Sequence, residues 1–134
     1  MRFIMFLGMG FLRAARGIPS ELGTSDEVPF LSGKVYEVAL AVDFSRRGLK
    51  FGRQFPIEVC YKGEVVRSYV ADFLVEGEVI VEVKAMIGVG GGEEAQLLNY
   101  LKATGKSVGL ILNFGKKAEV RRRIFERARG VGNN

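Results

Sequence analysis

The feature that most constrains the fold is an uncharged run of seven residues, Val108 to Phe114 (VGLILNF), which follows a helical pattern. A strand with apolar side chains on both sides must be covered on both faces, as in the parallel part of an α/β sheet. The preceding helix can then serve as the crossover that brings this strand alongside an earlier one. The run therefore predicts a sheet with helices packed against it.

The rest of the chain shows alternating helical and strand periodicity. Lys62-Gly63 and the segment 76–78 separate three strand-like runs, as hairpin turns would. This pattern predicts an α/β domain with a mixed sheet flanked by helices. In chain order we predict a helix over 34–47, strands over 55–61, 65–75 and 79–85, a helix over 93–104, a strand over 108–114 and a third helix over 118–129.

The composition excludes several kinds of catalysis. The chain of 134 residues suits a single domain, and it contains no histidine and one cysteine, Cys60. Ser-His-Asp or Cys-His catalysis, a Cys/His zinc site and an intrachain disulfide are therefore impossible within it. Acid–base or metal chemistry must use carboxylates, Lys, Tyr or activated water. We expect Cys60 to be a buried, reduced strand residue without a catalytic role.

The basic residues fall into two clusters. Lys and Arg number 20 against 15 Asp and Glu, so the net charge is +5. This balance fits phosphate contacts with a nucleic acid, and solvated surface charge is an equally good interpretation. The proposed nucleic-acid-binding residues are Arg46, Arg47 and Arg53 in the first cluster and Arg121, Arg122 and Arg123, on the predicted third helix, in the second.

Residues 1–32 form a zone of their own. Met1 to Leu12 is apolar but too short to span a bilayer, and Arg13 and Arg16 follow at once. We therefore prefer a segment buried on the domain or in a contact between subunits over an export signal. Residues 17–33 have a loop-like composition. We expect a cytoplasmic protein without membrane contact, which could form a homo-oligomer through its apolar N-terminus.

The second hairpin brings ionisable side chains together. If 76–78 is a three-residue loop, Asp72 lies opposite Glu82, with Cβ atoms about 4.5–5.5 Å apart. Lys84 lies two residues beyond Glu82 and therefore shares its face of the sheet. The other face carries only apolar residues and suits helix packing. The register thus predicts that Asp, Glu and Lys converge on one face.

Convergent carboxylates repel each other unless a hard divalent cation lies between them, and Mg²⁺ prefers such oxygen ligands. A lysine beside them could orient water or offset charge on a phosphate. In the next helix, Gln96 and Tyr100 are four residues apart and share a face, where they could hold substrate and water. The alternative is an amphipathic sheet edge with a Glu–Lys pair and a helix with a partly exposed tyrosine.

The pattern Asp72, Glu82-Val83-Lys84 and Gln96-x-x-x-Tyr100, in the order αβββαβ, resembles the PD-(D/E)XK nuclease superfamily. Gln-x-x-x-Tyr is typical of its recombination-exonuclease branch, and EAQLLNYLKATG is similar to the small GxxExxxR proteins. The resemblance implies a restriction-endonuclease-like fold and a nuclease that acts on DNA with Mg²⁺ or Mn²⁺. It implies Asp72 and Glu82 as metal ligands, Lys84 as the catalytic lysine, and Gln96 and Tyr100 as further catalytic-site residues.

The likeness runs from about 35 to 115, which leaves 1–32 unmatched and places the nuclease-like domain at 33–134. The family's Gly-x-x-Glu is replaced here by Phe30 to Gly33. Glu37, one turn later, is then the nearest candidate for a third metal ligand, and a solvated helix residue is the alternative. A catalytically degenerate protein that binds nucleic acid or serves as an assembly module is therefore the second reading.

Overall fold

The structure is a computed structural model that describes Ile18, residues 33–115 and residues 118–126. In these ranges the elements are α1 (Gly33–Arg46), β1 (Phe51–Tyr61), β2 (Glu64–Val75), β3 (Val79–Lys84), α2 (Gly91–Thr104), β4 (Val108–Phe114) and β5 (Ala118–Ile124). The strands form one five-stranded sheet in the order β1-β2-β3-β4-β5. The predicted α/β architecture is therefore confirmed.

The pairing of the strands makes the sheet mixed. β1 with β2, β2 with β3, and β4 with β5 are antiparallel, whereas β3 and β4 are parallel. α2 is the crossover between the two parallel strands, as the helical pattern before β4 predicted. Every residue of β4 is buried, because this strand has a paired strand at each edge and side chains packed on each face.

The predicted third helix is wrong in the part that the structure describes. Ala118–Ile124 is an edge strand whose pairing with β4 runs from Phe114↔Ala118 to Val108↔Ile124. Val120 and Ile124 are four residues apart, which places them on one side of a strand as well as on one side of a helix. Both are β-branched, and the buried backbone of β4 needs a hydrogen-bonding partner at its outer edge.

One face of the sheet packs against α1 through an aromatic core. Tyr36, Leu40 and Phe44, the predicted stripe of this helix, are at most 1% exposed. The Tyr36 ring stacks on Phe114 with centroids 4.8 Å apart, and Phe44 meets Phe73 edge to face at 5.0 Å. Phe73 belongs to the apolar face that the hairpin register predicted. We call this side of the sheet the α1 face.

The opposite face, here called the α2 face, packs against the second helix. Leu97 and Leu101 lie over Ile80 and Ile111 in a second apolar cluster. Gly109 permits the close approach of the helix, because a Cβ at this position would lie 2.6 Å from a Leu97 methyl carbon. In the described part of the chain, a helix thus packs on each side of the sheet, which is the layering that the apolar run in β4 required.

The outer part of the β1–β2 hairpin is exposed on both sides. Its turn, Lys62-Gly63, has positive φ at both residues, as a two-residue hairpin loop of the primed type requires. Cys60, which we expected to be buried, is exposed in this part of β1.

The predicted apolar segment, Met1 to Leu12, lies outside the described residues. Ile18 is 5% exposed and belongs to the apolar cluster of the α1 face. In the described part of the chain, no helix combines the length and the apolar content that a bilayer span requires.

Candidate active site

The hairpin between β2 and β3 has the predicted register. Val75 pairs with Val79 and Phe73 with Val81, so the three-residue loop is confirmed. Beyond these pairs, the two strands are joined by hydrogen bonds from backbone N–H groups to side-chain carboxylates. The Asp72 backbone N–H donates to Glu82 Oε1 at 3.0 Å, and the Val83 N–H donates to Asp72 Oδ2 at 2.7 Å. The two acidic side chains therefore lie across from each other, as predicted.

A small pocket opens beside this carboxylate pair on the α2 face. Glu82 is buried at 8% exposure, and the Lys84 Nζ lies 3.9 Å from its Oε2. Lys84 keeps 40% of its side chain exposed, so its ammonium can reach a ligand in the pocket. The pocket has a volume of about 190 Å³ and brings together four predicted site residues, Glu82, Lys84, Gln96 and Tyr100, with Gly92, Glu93, Leu97 and Ile111.

Both carboxylates of the pair have raised pKa values. Burial raises the pKa of Glu82 to about 7, and the charge of Asp72 contributes to this rise against the opposing effects of a backbone hydrogen bond and Lys84. Burial also raises the pKa of Asp72, and the Val83 hydrogen bond opposes this shift. Glu82 lines the pocket and Asp72 lies directly beside Glu82, and neighbouring acidic groups with raised pKa values next to a pocket are a recognised feature of functional sites.

Gln96 and Tyr100 face the same pocket from α2. Burial raises the pKa of the Tyr100 hydroxyl, and the charges of Glu82 and Asp72 act in the same direction. A hydrogen bond from Gln96 opposes that shift. The helix thus places the Gln96 amide and the Tyr100 hydroxyl on one face beside the pocket, as the four-residue spacing predicted.

Glu37 approaches the pair from α1 but is held by other partners. It is 5% exposed, and its Oε1 accepts hydrogen bonds from Arg53 Nη2 at 3.0 Å and Gln54 Nε2 at 2.8 Å. Lys34 Nζ lies 3.5 Å from the same oxygen. The Glu37 charge nevertheless contributes to the raised pKa values of Asp72 and Glu82. The alternative of a solvated helix residue is therefore wrong.

Gln54 is a residue of this site that sequence reasoning missed. Its positive φ is unusual for a non-glycine residue, and it lies where β1–β2 pairing skips from Arg53↔Phe73 to Phe55↔Ala71. The skipped partner is Asp72. Local distortion of β1 therefore coincides with the carboxylate pair, and no sequence signal marks Gln54 for this conformation.

The donor set fits a hydrated divalent cation. Among the residues that the structure describes, no three His, Cys, Asp or Glu side chains are grouped so as to hold a metal ion. Asp72 and Glu82 each use one oxygen in a backbone hydrogen bond, which leaves Asp72 Oδ1 and Glu82 Oε2 for a ligand. Mg²⁺ is commonly bound through one or two carboxylates, substrate phosphates and several waters, so these two oxygens are ligands of the kind that it takes.

Asn113 and Glu119 fix the loop that leads from Lys84 to α2. Asn113, 1% exposed, accepts a hydrogen bond from the Met86 N–H and donates one to the Met86 carbonyl, both at 3.0 Å. Glu119 Oε1 accepts from Val89 N at 3.1 Å and from Asn113 Nδ2 at 3.2 Å. A polar residue inside an apolar strand must find partners, so Asn113 could have been selected from the sequence.

Arg53 and the arginines of β5 lie far apart in the sheet. Arg53 lies on β1 and Arg121–Arg123 lie on β5, at opposite edges of the sheet and about 19 Å apart at the usual strand spacing. Consecutive arginines on β5 point to alternate faces, whereas the predicted helix would have grouped them differently. Arg46 is exposed at the end of α1 and Arg47 follows it, while Arg53 pairs with Glu37.

The sheet is mixed and five-stranded, carries a helix on each face, and has a Glu/Lys pocket with Asp72 next to it beside the parallel strands. These features define a restriction-endonuclease-like α/β domain. A family model of the PD-(D/E)XK nuclease superfamily matches residues 12–124. The chain therefore belongs to the PD-(D/E)XK nuclease superfamily. The match begins inside the segment 1–32.

A solved structure supports the fold independently. The crystal structure of SSO0001 superimposes with a TM-score of 0.55 at 15% sequence identity, over 72% of this chain. This chain spans 51% of the length of SSO0001, or about half. At this identity the likeness establishes the restriction-endonuclease-like fold alone. Among curated proteins, none matches the sequence.

Proposed function

We propose that this protein is a divalent-metal-dependent nuclease of the small GxxExxxR kind that hydrolyses phosphodiester bonds in DNA. The observation that carries the proposal is the buried carboxylate pair that bridges β2 and β3, with the Lys84 ammonium beside it. Membership of a nuclease superfamily supports phosphodiester hydrolysis as the reaction at this site. The same superfamily implies a nucleic acid as the substrate.

Asp72 and Glu82 are the residues that would hold Mg²⁺ or Mn²⁺. Bound there, the cation would offset the charge of both carboxylates, activate water as the nucleophile and polarise a phosphoryl oxygen. The raised pKa values support this assignment, because burial of two facing carboxylates without a counter-charge is unfavourable. The Lys84 ammonium supplies only part of the counter-charge, because its Nζ lies 3.9 Å from Glu82 Oε2.

The remaining pocket residues would position the phosphate and the water. Lys84 can donate a charged hydrogen bond to a phosphate oxygen, which is most favourable when negative charge accumulates in the transition state. Gln96 and Tyr100 offer an amide and a hydroxyl group from the opposite wall. Glu82 is largely shielded from solvent, and electrostatic contacts are stronger where water is excluded.

Glu37 remains a predicted ligand, and its hydrogen bonds suggest a second role. Because Arg53 and Gln54 both donate to its Oε1, Glu37 also holds β1 in its distorted conformation next to Asp72. In this role it would support the position of Asp72 without contacting the cation. Arg53, 35% exposed along its side chain, would then present the rest of its guanidinium to the nucleic acid.

The second candidate is a nucleic-acid-binding or assembly protein without turnover. The engagement of Glu37 by Arg53 and Gln54 favours it, because a site that requires three carboxylates would be incomplete. Such a protein would bind nucleic acid in a salt-dependent manner but would not cleave it.

The test is incubation of the protein with single-stranded, duplex and branched DNA in Mg²⁺, Mn²⁺ or EDTA. We expect cleavage with metal, none in EDTA, and a loss of about a hundred-fold or more in Lys84→Ala. Lys106→Ala is the matched control, because Lys106 is outside the pocket. Binding of every substrate without cleavage under any condition would overturn the nuclease proposal in favour of the second candidate.

A further inference from the structure

A second, larger groove lies on the α2 face next to the candidate active site. Its volume is about 530 Å³. Ligand pockets usually measure roughly 300 to 1000 Å³, so the groove is large enough for a small organic group. One wall is the exposed part of the β1–β2 hairpin, and the other is the C-terminal half of α2. The residues that line it are Glu58, Val59, Cys60, Tyr69, Asn99, Lys102 and Ala103.

The groove and the candidate catalytic pocket lie on neighbouring positions of α2. Gln96 and Tyr100 line the first cavity, whereas Asn99 and Ala103 line the second. These four positions follow the spacing i, i+3, i+4 and i+7, so they form one stripe along the helix. At the boundary, the Tyr100 ring touches the Tyr69 ring with centroids 5.4 Å apart.

The side chains in the groove suit a nucleobase better than a phosphate. Tyr69 lines the groove with an aromatic ring on which a base can stack. The guanidinium of Arg67, which does not line the groove, lies 5.1 Å from the centroid of that ring. Asn99 presents an amide, which can donate to and accept from a base edge. The Glu58 carboxylate would repel phosphate but can accept a hydrogen bond from a base amino group.

A cation is nevertheless present where the nucleic-acid backbone would continue. The Lys102 ammonium lies at the rim, 5.7 Å from the centre of the Phe125 ring. An aromatic group, an amide and a flanking cation are the elements that single-strand-binding proteins combine.

We propose that this groove binds the unpaired base of the nucleotide next to the phosphate in the catalytic pocket, so the substrate is single-stranded nucleic acid. A base that enters a groove between a helix and a hairpin cannot stay stacked and paired in a duplex. The position of the phosphate rests on the function proposed above, whereas the groove is assigned by its own residues.

The test measures binding of short single-stranded oligonucleotides in EDTA, so that cleavage plays no part. Each oligonucleotide carries the fluorescent base 2-aminopurine at a different position, since stacking quenches its emission. We expect one quenched position and an affinity that falls about five-fold or more in Tyr69→Ala and in Asn99→Ala. Tyr69→Phe keeps the ring and should bind like the parent.

Tyr61→Ala is the matched control, because Tyr61 is a 62% exposed tyrosine near the hairpin turn and outside the groove. Equal affinity and equal quenching in Tyr61→Ala, Tyr69→Ala and Asn99→Ala would overturn the proposal. Tighter binding of duplex than of single strands would overturn it as well.

The outcome of this binding test does not depend on whether the protein cleaves its substrate. If the quenched position and its loss in Asn99→Ala are observed with a protein that never cleaves, the groove stands and the nuclease function fails. If cleavage is observed while Tyr69→Ala and Asn99→Ala leave binding and quenching unchanged, the nuclease function stands and the groove assignment fails.

Discussion

The two faces of the sheet share the same strands but differ in what those strands carry. On the α1 face, β3 contributes Val81 and Val83 to a core of aromatic and aliphatic side chains. On the α2 face, the same strand contributes Glu82 and Lys84 to a pocket. Alternation along one strand therefore gives the chain an apolar core and an ionisable site only one layer apart.

The difference shows how the fold can tolerate buried acid groups. Glu82 and Asp72 are unfavourable where they lie, because burial raises both of their pKa values. On the opposite face, β2 and β3 bury apolar side chains in one cluster, and this burial favours the folded state. We infer that the α1 face provides stability and that the α2 face gives up some stability for function.

Disrupting the α1 face should have the largest effect on stability. Phe73→Ala removes a fully buried ring that touches Phe44 and Phe51. The free energy of unfolding should therefore fall by about 3–5 kcal/mol. Chemical denaturation measures this change. A loss below about 1 kcal/mol would show that the aromatic core is not what holds the sheet together.

The α2 face should give the protein a specific pH dependence when metal is removed. Because the pKa of Glu82 is about 7 when folded and 4.5 otherwise, the folded state binds this proton more tightly. Its contribution is complete below about pH 4.5 and is lost as the pH rises through about 7, an effect on the order of 3 kcal/mol. Asp72 shifts in the same direction.

Glu82→Gln should flatten this pH dependence, because an amide does not titrate in that range. The comparison is denaturation of both proteins in EDTA at several pH values. An exposed acid, Glu78→Gln, is the control and should keep the parent slope. Identical slopes in parent and Glu82→Gln would mean that Glu82 titrates normally.

A smaller effect on stability is expected from Asn113, which fixes the loop after β3. Asn113→Ala leaves the Met86 N–H and carbonyl without the partner they have in the parent. This loss should cost about 1–3 kcal/mol of stability, measured by chemical denaturation. Because this loop leads from Lys84 to α2, we also expect cleavage to slow in the folded variant. A stable variant with parental activity would show that the loop does not need this clamp.

Much of the fold could be predicted because its periodicity is local. The stripe of α1, the apolar run of β4 and the glycine-containing turns each identify an element without reference to the rest of the chain. β5 could not be identified in this way, because Val120 and Ile124 share a side in a helix and in a strand alike. Only the unpaired edge of β4 distinguishes the two, and that is a tertiary requirement.

The site was predictable where register determines it. Once the turn at 76–78 is recognised, Asp72, Glu82 and Lys84 must share a face. Contacts between distant elements follow no such rule. The hydrogen bonds of Glu37 with Arg53 and Gln54 depend on how α1 docks on the sheet. The separation of Arg53 from the arginines of β5 depends on where β5 joins the sheet.

The most direct test of the α2 face as a functional site is a calorimetric titration that measures the affinity of the folded protein for Mn²⁺. The parent should bind Mn²⁺, and Asp72→Asn should bind it at least about ten-fold more weakly, because one of two carboxylate ligands is lost. Glu78→Gln should bind as the parent does. Equal Mn²⁺ affinity in the parent and in a folded Asp72→Asn variant would contradict the account.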